Sequence, residues 1–352
     1  MRAVSRHPQG TICTSSQSGR IAQIARVRLP ELPLVFTRAQ ARALGVSDAR
    51  LGRLVACGSL VRIRQGVYAR AVTSTPRERY VEASTAALRQ YDNGHVLSHL
   101  SAAALWGLPM PLHPPETVHL TKTVGHLRSR RLPGLELHHA DSSETDIVEI
   151  AGVPLTTAAR TVADCLRWFW PRVSVPIADA ALNRGLTSID EIVVQLSMQC
   201  HWPGRTRSEL ALTLVDGRRE SWLESYAFVR FAEWEIPLPE PQVNILDEHG
   251  RFVARVDGGW LEDGTVLELD GKSKYALPRD GVVDPQVTWL LEKQRYDRVG
   301  NLGLERVRFG LDDLLHRDTT VRAQIRARRR VGSISRFSGR FVTTPSSGLT
   351  LL

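Results

Sequence analysis

The sequence lacks the features of membrane-spanning proteins, secreted proteins and zinc ribbons. It has no run of 18 apolar residues, so we expect no transmembrane helix. The polar, basic N-terminus has no apolar segment of the secretory type. Four scattered cysteines include no CxxC pair, which excludes a zinc ribbon and argues against a disulfide scaffold. These absences predict a cytoplasmic protein.

Acidic residues are missing from one end of the chain and scarce at the other. Residues 1–30 contain five arginines and no acid, and residues 317–352 contain eight arginines and one aspartate. The net charge of the whole chain is +9, so residues 31–316 together carry −3. We predict a disordered basic lead over 1–30 and a disordered basic tail over 317–352. Such ends can hold nucleic acid loosely by counterion release, or they can be unselected ends.

The length of 352 residues predicts more than one domain. We expect a winged helix at 31–72, a mixed α/β middle domain at 76–215 and a further α/β domain at 217–316. In the middle domain, the pattern of residues 95–106 is typical of a helix. Residues 117–120 and 135–138 are predicted to be strands. The predicted class is α+β with several domains.

Residues 31–70 combine two short helices, a hairpin and a local charge of +5. Leu51, Leu54 and Val55 have the spacing of a core-facing helix stripe, which leaves Arg50 and Arg53 on the opposite face. In a winged helix, the second helix enters the major groove and the hairpin contacts phosphate. A small protein-contact module with solvated arginines is the alternative. The predicted DNA contacts are Arg38, Arg42, Arg50, Arg53, Arg62 and Arg64.

Several stretches of the N-terminal half resemble AbiEi-type antitoxins, over roughly residues 33–185. They are residues 36–43, 58–62, 66–68, 98–109 (SHLSAAALWGLP), 152–157 and 160–166. The resemblance implies a DNA-binding antitoxin or autoregulatory repressor, with a cognate toxin protein as a possible partner.

Four histidines of the middle domain do not have the spacing of a metal site. His99 lies in an alanine-rich and leucine-rich helix pattern, and His138 and His139 end a predicted strand. No carboxylate or cysteine stands beside them or His95 at ligand spacing. We therefore expect them to be ordinary core or surface histidines.

Three carboxylates of the region 217–316 are expected to share one sheet face. Asp257 ends an apolar strand, while Glu268 and Asp270 are two residues apart on the next strand and so point the same way. Carboxylates this close are unfavourable unless a cation neutralises them, and oxygen-rich sites favour Mg²⁺ or Mn²⁺. Such a metal can bind a phosphodiester and activate water for its hydrolysis.

The order of these blocks resembles the PD-(D/E)XK nuclease superfamily, and within it proteins related to very-short-patch-repair endonucleases. The resemblance implies catalytic roles for Asp257, Glu268 and Asp270, with Glu224 as an added metal ligand. Asp270 occupies the position of the usual motif lysine, and Lys272 would supply that positive charge from a shifted position. The region 217–316 carries a net charge of −6, so metal, the winged helix or the tails must attract DNA.

The function predicted from these patterns is that of a metal-dependent endodeoxyribonuclease in a defence or toxin–antitoxin role. The displaced lysine and the acidic charge keep open a second interpretation, a non-enzymatic AbiEi-type repressor with a degenerate nuclease fold. A third is a protein-interaction scaffold without DNA binding.

Overall fold

Three β-sheets lie in three successive parts of the chain. The computed structural model describes residues 35–70, 75–91, 94–113, 116–123, 129–140, 144–271 and 297–345, and the predicted lead over 1–30 lies outside them. The sheets have three, six and five strands, each accompanied by helices. This multi-sheet architecture agrees with the predicted mixture of helix and strand. No described helix has the length and apolar character needed to cross a membrane.

The first part contains the predicted helices and hairpin. Its elements are β1 (Val35–Thr37), α1 (Arg38–Ala43), α2 (Asp48–Ala56), β2 (Leu60–Arg64) and β3 (Val67–Arg70). Thr37 caps α1 in a reciprocal capping box with Gln40, and Ser47 caps α2. The strand order is β1-β3-β2, all antiparallel. Phe36, Leu51 and Leu54 are buried in the core between helices and sheet.

A six-stranded sheet dominates the second part. Its elements are α3 (Pro76–Gln90), β4 (His95–Leu97), α4 (His99–Leu105), β5 (Val118–Lys122), β6 (Arg130–Leu132), β7 (Leu135–His139), β8 (Ile147–Ile150) and β9 (Val153–Thr156). The strand order is β6-β7-β5-β4-β9-β8, with β5 and β7 parallel. The helix predicted over 95–106 is in fact a strand followed by a short helix. β4 forms because Val96 and Leu97 are buried and pair with β5.

Four helices follow the six-stranded sheet and pack around one another. They are α5 (Ala158–Trp168), α6 (Pro171–Asn183), α7 (Ile189–Met198) and α8 (Arg205–Leu212). The helix α5 contacts α4, α6, α7 and α8 and is buried along most of its length. It therefore carries its charged residues Arg160, Asp164 and Arg167 into the interior, where they pair with each other.

The third part is built on a five-stranded sheet. Its elements are α9 (Trp222–Glu233), β10 (Glu240–Asp247), β11 (Phe252–Trp260), β12 (Thr265–Asp270), β13 (Glu305–Gly310), α10 (Leu311–His316), α11 (Asp318–Val331) and β14 (Gly339–Val342). The strand order is β13-β12-β11-β10-β14, and only β12 and β13 are parallel among these neighbours. The helix α9 packs against α6, which joins this part to the second one.

The predicted disordered tail over 317–352 is wrong for much of its length. Val321 and Ile325 of α11 are fully buried against the third part, and β14 pairs with β10 at the sheet edge. Two of its arginines are held by acids of the body, since Arg328 pairs with Glu305 and Arg329 with Asp263. The apolar pair one helical turn apart outweighs the high arginine content of this segment.

Candidate functional site

The exposed face of α2 carries small side chains and arginines, and the helix pattern predicts the position of the arginines. Leu51 and Leu54 are buried beneath it, whereas Arg53 is exposed and Arg50 is half-buried. The neighbouring positions on the exposed side are Ala49, Gly52 and Ala56. Within the described residues, the guanidinium groups of Arg50 and Arg53 form no ion pair. The face therefore offers two unneutralised cations on a helix without bulky side chains.

Two of the arginines predicted to contact DNA form ion pairs within the chain. Arg38 and Arg42 of α1 both bind the carboxylate of Asp48, the first residue of α2, through Nε at 2.7 Å and 3.2 Å. The two guanidinium groups hold the pKa of Asp48 far below its usual range. Their main effect is to join the two helices and neutralise the one acid at the start of α2.

The hairpin adds one further exposed arginine to this surface. Arg62 lies on β2, is exposed, and makes no ion pair in the part of the chain that the structure describes. The side chain of Arg64, also predicted to contact DNA, lies outside what the structure describes. The three-stranded sheet contacts α3, because Gln90 donates to the Gln65 carbonyl of the hairpin and Arg89 donates to the Val35 carbonyl of β1. The hairpin is therefore anchored rather than projecting alone.

The predicted carboxylates lie around one cavity of about 690 Å³. The antiparallel register pairs Gly258 with Leu267, so the next position along the ladder places Asp257 opposite Glu268. Glu268 and Asp270 are half-buried on β12 and point to the same side, while Leu267 and Leu269 are buried on the other. The structure thus brings the three acids to one sheet face. The cavity is also lined by Glu224, Arg298 and Arg308.

Hydrogen bonds fix several of these side chains in place. Asp257 Oδ2 accepts the backbone N–H of Leu269 at 2.6 Å, and Asp270 Oδ2 accepts from Arg308 at 3.0 Å. Glu224, in the first turn of α9, is buried and its Oε2 accepts from the Gln242 amide at 2.7 Å. The acids are therefore oriented by their surroundings, and part of the charge of Asp270 is neutralised. Lys272 lies outside the described residues.

A second cluster of ligand-type side chains lies inside the middle part. His99, His119 and His138 are all buried, and one ring nitrogen from each lies within 4.8 Å of the others. Among the described residues, no other three histidines, cysteines or acids come together in this way. The rings are stacked, with 3.9 Å between the centroids of His99 and His138. Trp168 packs against His138 in a T-shaped arrangement, with 4.7 Å between the ring centroids.

Sequence reasoning missed this cluster for two reasons. The three histidines come from three elements, α4, β5 and β7, so their sequence spacing carries no ligand pattern. His119 was also not singled out, although strand alternation puts it on the same face as Thr121, the register partner of His138. The parallel pairing of β5 with β7 is the one signal that could have joined them.

The chain is similar to two proteins of Mycobacterium tuberculosis. It is 28% identical over 269 residues to Uncharacterized protein MT2308 and to Uncharacterized protein Rv2248, from two strains of Mycobacterium tuberculosis. The alignment covers 76% of this chain and 92% of each relative. The crystal structure of the RV2827C protein from the same organism aligns with 56% of this chain, and the alignment covers 80% of the RV2827C chain. Its TM-score of 0.33 and identity of 15% are too low to support an argument about fold.

A family match coincides with the winged-helix region. It ends just beyond β3, and it includes both α1 and α2 with the hairpin that follows them. The resemblance predicted from the motifs of this region is thereby confirmed for these residues. Residues 34–71 match the family described as transcriptional regulator, AbiEi antitoxin.

Proposed function

We propose that this protein is a DNA-binding transcriptional regulator of the AbiEi antitoxin type, in which α2 enters the major groove. The observation that carries the proposal is the face of α2, where Arg50 and Arg53 stand unpaired among small residues. This helix lies inside the segment that matches the AbiEi regulator family. Small exposed residues let the helix backbone approach the groove, and the arginines reach base edges or phosphates.

The paired arginines have a different role in this proposal. Arg38 and Arg42 neutralise Asp48 at the start of α2, where an unpaired carboxylate would repel the phosphate backbone. Arg62 on the hairpin contacts phosphate beside the groove. The regulator's protein partner would be a cognate toxin, as the antitoxin resemblance implies.

The experiment is a fluorescence anisotropy titration with duplex DNA from upstream of the protein's own gene and with an unrelated duplex. We expect binding to the first to be tighter by about 10³-fold or more at physiological salt. Arg53→Ala should weaken specific binding by about 10-fold or more, because a groove contact is worth about 1–3 kcal/mol. Arg205→Ala, which removes an exposed arginine of α8, is the matched control and should bind like wild type. Equal affinity for both duplexes, or no effect of Arg53→Ala, would refute the proposal.

The carboxylate cavity favours a second candidate function, metal-dependent cleavage of DNA. Carboxylate oxygens are the ligands that Mg²⁺ and Mn²⁺ prefer, and Asp257, Glu268 and Asp270 would hold the ion, with Glu224 in support. A bound ion of this kind polarises a phosphodiester and lowers the pKa of an attacking water. Lys272 would stabilise the developing charge, as the nuclease resemblance implies.

Relaxation of supercoiled plasmid in the presence of Mg²⁺ or Mn²⁺ tests this second candidate. Cleavage should depend on the ion and be abolished in Asp257→Ala. It should persist in Asp247→Ala, which changes the acid at the end of β10 in the same sheet. Absence of cleavage on supercoiled, linear and single-stranded DNA would rule out the nuclease activity, and only the proposed regulator function would remain. If the Asp257→Ala variant still cleaves DNA, the cleavage comes from a contaminating nuclease and not from this site.

A further inference from the structure

The buried histidine cluster is a feature that neither DNA binding nor the carboxylate cavity uses. His99 is the first residue of α4, His119 lies in the middle of β5, and His138 lies near the end of β7. Three histidines with at most 8% of their surface exposed are unusual in a protein interior, since buried polar groups need partners. Their convergence from three elements places three side chains of the metal-binding type at one buried position.

The three rings are uncharged at neutral pH. Burial lowers the pKa of His119 to about 3 and that of His138 to about 4, and it places the pKa of His99 well below the ordinary value. Repulsion from the other rings and from Arg167 also lowers the pKa of His99, whereas the Asp164 carboxylate raises that of His138 and only partly offsets the effect of burial. Each neutral imidazole keeps one nitrogen with a free electron pair, which is the form that binds a metal.

The distance between one pair of ring nitrogens is close to that of two ligands around a small ion. His119 Nδ1 and His138 Nε2 are 3.0 Å apart, so either a proton or a cation must lie between their electron pairs. Two nitrogens on a tetrahedral zinc ion are about 3.3–3.4 Å apart, for Zn–N bonds of about 2.0–2.1 Å. The ligand nitrogens of the three rings lie within 4.8 Å of one another, and the stacked rings of His99 and His138 would separate for all three to bind one ion.

The backbone and hydrogen bonding of His99 hold its ring against the other two. His99 has a φ of 49°, in the left-handed region that non-glycine residues rarely adopt. Its Nδ1 lies 2.9 Å from the Ser98 hydroxyl, which leaves Nε2 as the nitrogen for a metal. Strain of this kind persists where the surroundings require a particular side-chain position. A hydrogen-bonded second nitrogen is also the usual arrangement of a metal-binding histidine.

A cavity of about 210 Å³ adjoins the cluster and contains unsatisfied polar atoms. His99 and His138 both line it, together with Thr121 and Arg160. Within the described residues, the buried Thr121 hydroxyl and the buried Nη2 of Arg160 have no hydrogen-bond partner. Water or an anion in this cavity would satisfy both groups. The cavity therefore offers room for one more ligand beside the histidines.

We propose that His99, His119 and His138 bind one zinc ion, with the fourth coordination position facing this cavity. Three neutral imidazoles suit Zn²⁺ and not Mg²⁺ or Ca²⁺, which require oxygen ligands. Three protein ligands with one open position are the arrangement that allows water or an anion as the fourth ligand. The ion would join α4 to the neighbouring strands β5 and β7.

Metal analysis of the full-length protein without an affinity tag tests this site. After incubation with Zn²⁺ and removal of excess metal, wild type should retain one ion per chain. His119→Gln and His138→Gln should each bind Zn²⁺ at least about 100-fold more weakly, since a lost supporting contact alone costs 10–100-fold. His95→Gln changes a histidine of β4 in the same sheet that is outside the cluster, and should retain the ion. Asp257→Ala should retain it too, which separates this site from the carboxylate cavity.

A second measurement on wild type does not depend on the folding of any variant. Replacement of Zn²⁺ by Co²⁺ should give the intense visible absorption of a four-coordinate ion, and Zn²⁺ should abolish that absorption. Zn²⁺ but not Mg²⁺ should raise the melting temperature, and a chelator should reverse the rise. A folded wild type that retains no Zn²⁺ and gives no Co²⁺ absorption would overturn the proposal. Equal Zn²⁺ retention in a folded His138→Gln variant would also overturn it.

Discussion

At the scale of single residues, the buried histidines make stability depend on pH. His119 and His138 have pKa values of about 3 and 4 in the folded chain, below the value of about 6.5 expected when unfolded. The unfolded chain therefore takes up protons first, and stability that is present above pH 6.5 is lost as the pH falls towards 4. Asp179 acts in the opposite direction, because burial raises its pKa to about 6. Its contribution is present below about pH 4 and is lost as the pH rises through 6.

We expect the metal-free protein to lose stability between pH 6.5 and pH 4.5. The two histidines can each contribute up to about 1.4 kcal/mol per pH unit, partly offset by Asp179. Urea unfolding with a chelator at several pH values measures the slope. The double variant His119→Gln/His138→Gln should give a shallower slope than wild type. Parallel curves would show that these histidines are not the groups that titrate.

Asp179 and Arg219 form a buried ion pair. Asp179 of α6 is fully buried, binds Arg219 at 2.7 Å and accepts the backbone N–H of Asp216 at 2.7 Å. Asp179→Ala would leave the buried guanidinium without its carboxylate, so we expect a loss of about 3–5 kcal/mol in the free energy of unfolding. Glu209→Ala breaks the exposed pair with Arg205 and should cost less than about 1 kcal/mol. Similar small losses in both variants, measured by urea unfolding, would contradict this account.

At the scale of elements, the helix α11 is part of the folded body and not a tail. Ile325 is fully buried against the sheet, whereas Arg326 beside it is exposed. Ile325→Ala should therefore destabilise the protein by about 2–5 kcal/mol, and Arg326→Ala by less than about 0.5 kcal/mol. Thermal unfolding of both variants provides the comparison. A melting temperature unchanged by Ile325→Ala would restore the prediction of an unstructured tail.

The elements that sequence reasoning predicts well are those defined by local chemistry. The caps Thr37 and Ser47 define the starts of α1 and α2, because each side chain accepts a hydrogen bond from its own helix. The strand β4 was missed because its three residues form a strand only through pairing with β5 and β9. The helix α11 is not predicted because its apolar residues Val321 and Ile325 are few among many arginines, and their burial depends on tertiary packing. Long-range pairing is the part of the fold that local patterns do not contain.

At the scale of the whole molecule, the candidate sites differ in how far the sequence could predict them. The carboxylates could be placed on one sheet face because a short turn joins β11 and β12, which makes their register a local property. The histidine cluster could not, because β5 and β7 pair in parallel with β6 between them in sequence. The face of α2 is an intermediate case. The sequence predicts its exposed arginines, but only the structure shows that Arg38 and Arg42 of α1 are paired with Asp48.

The distribution of charge assigns DNA attraction to the first part of the molecule. Residues 217–316 carry −6, but the arginine-rich segment 317–342, which folds into the third part, carries +7 and offsets it, while residues 31–70 carry +5. Non-specific attraction to DNA follows the positive surface, so the winged helix should lead the approach to DNA.

The salt dependence of DNA affinity tests the central claim, that the exposed face of α2 contacts DNA, most directly. Affinity for the duplex upstream of the gene should be measured from low to physiological salt for wild type, Arg50→Ala/Arg53→Ala and the control Arg205→Ala. We predict that the double variant binds more weakly and that its log–log salt slope is smaller by about 1 for each arginine that contacts phosphate. The control should keep the wild-type slope. Identical slopes and affinities for all three proteins would contradict the assignment of α2 as the DNA-binding helix.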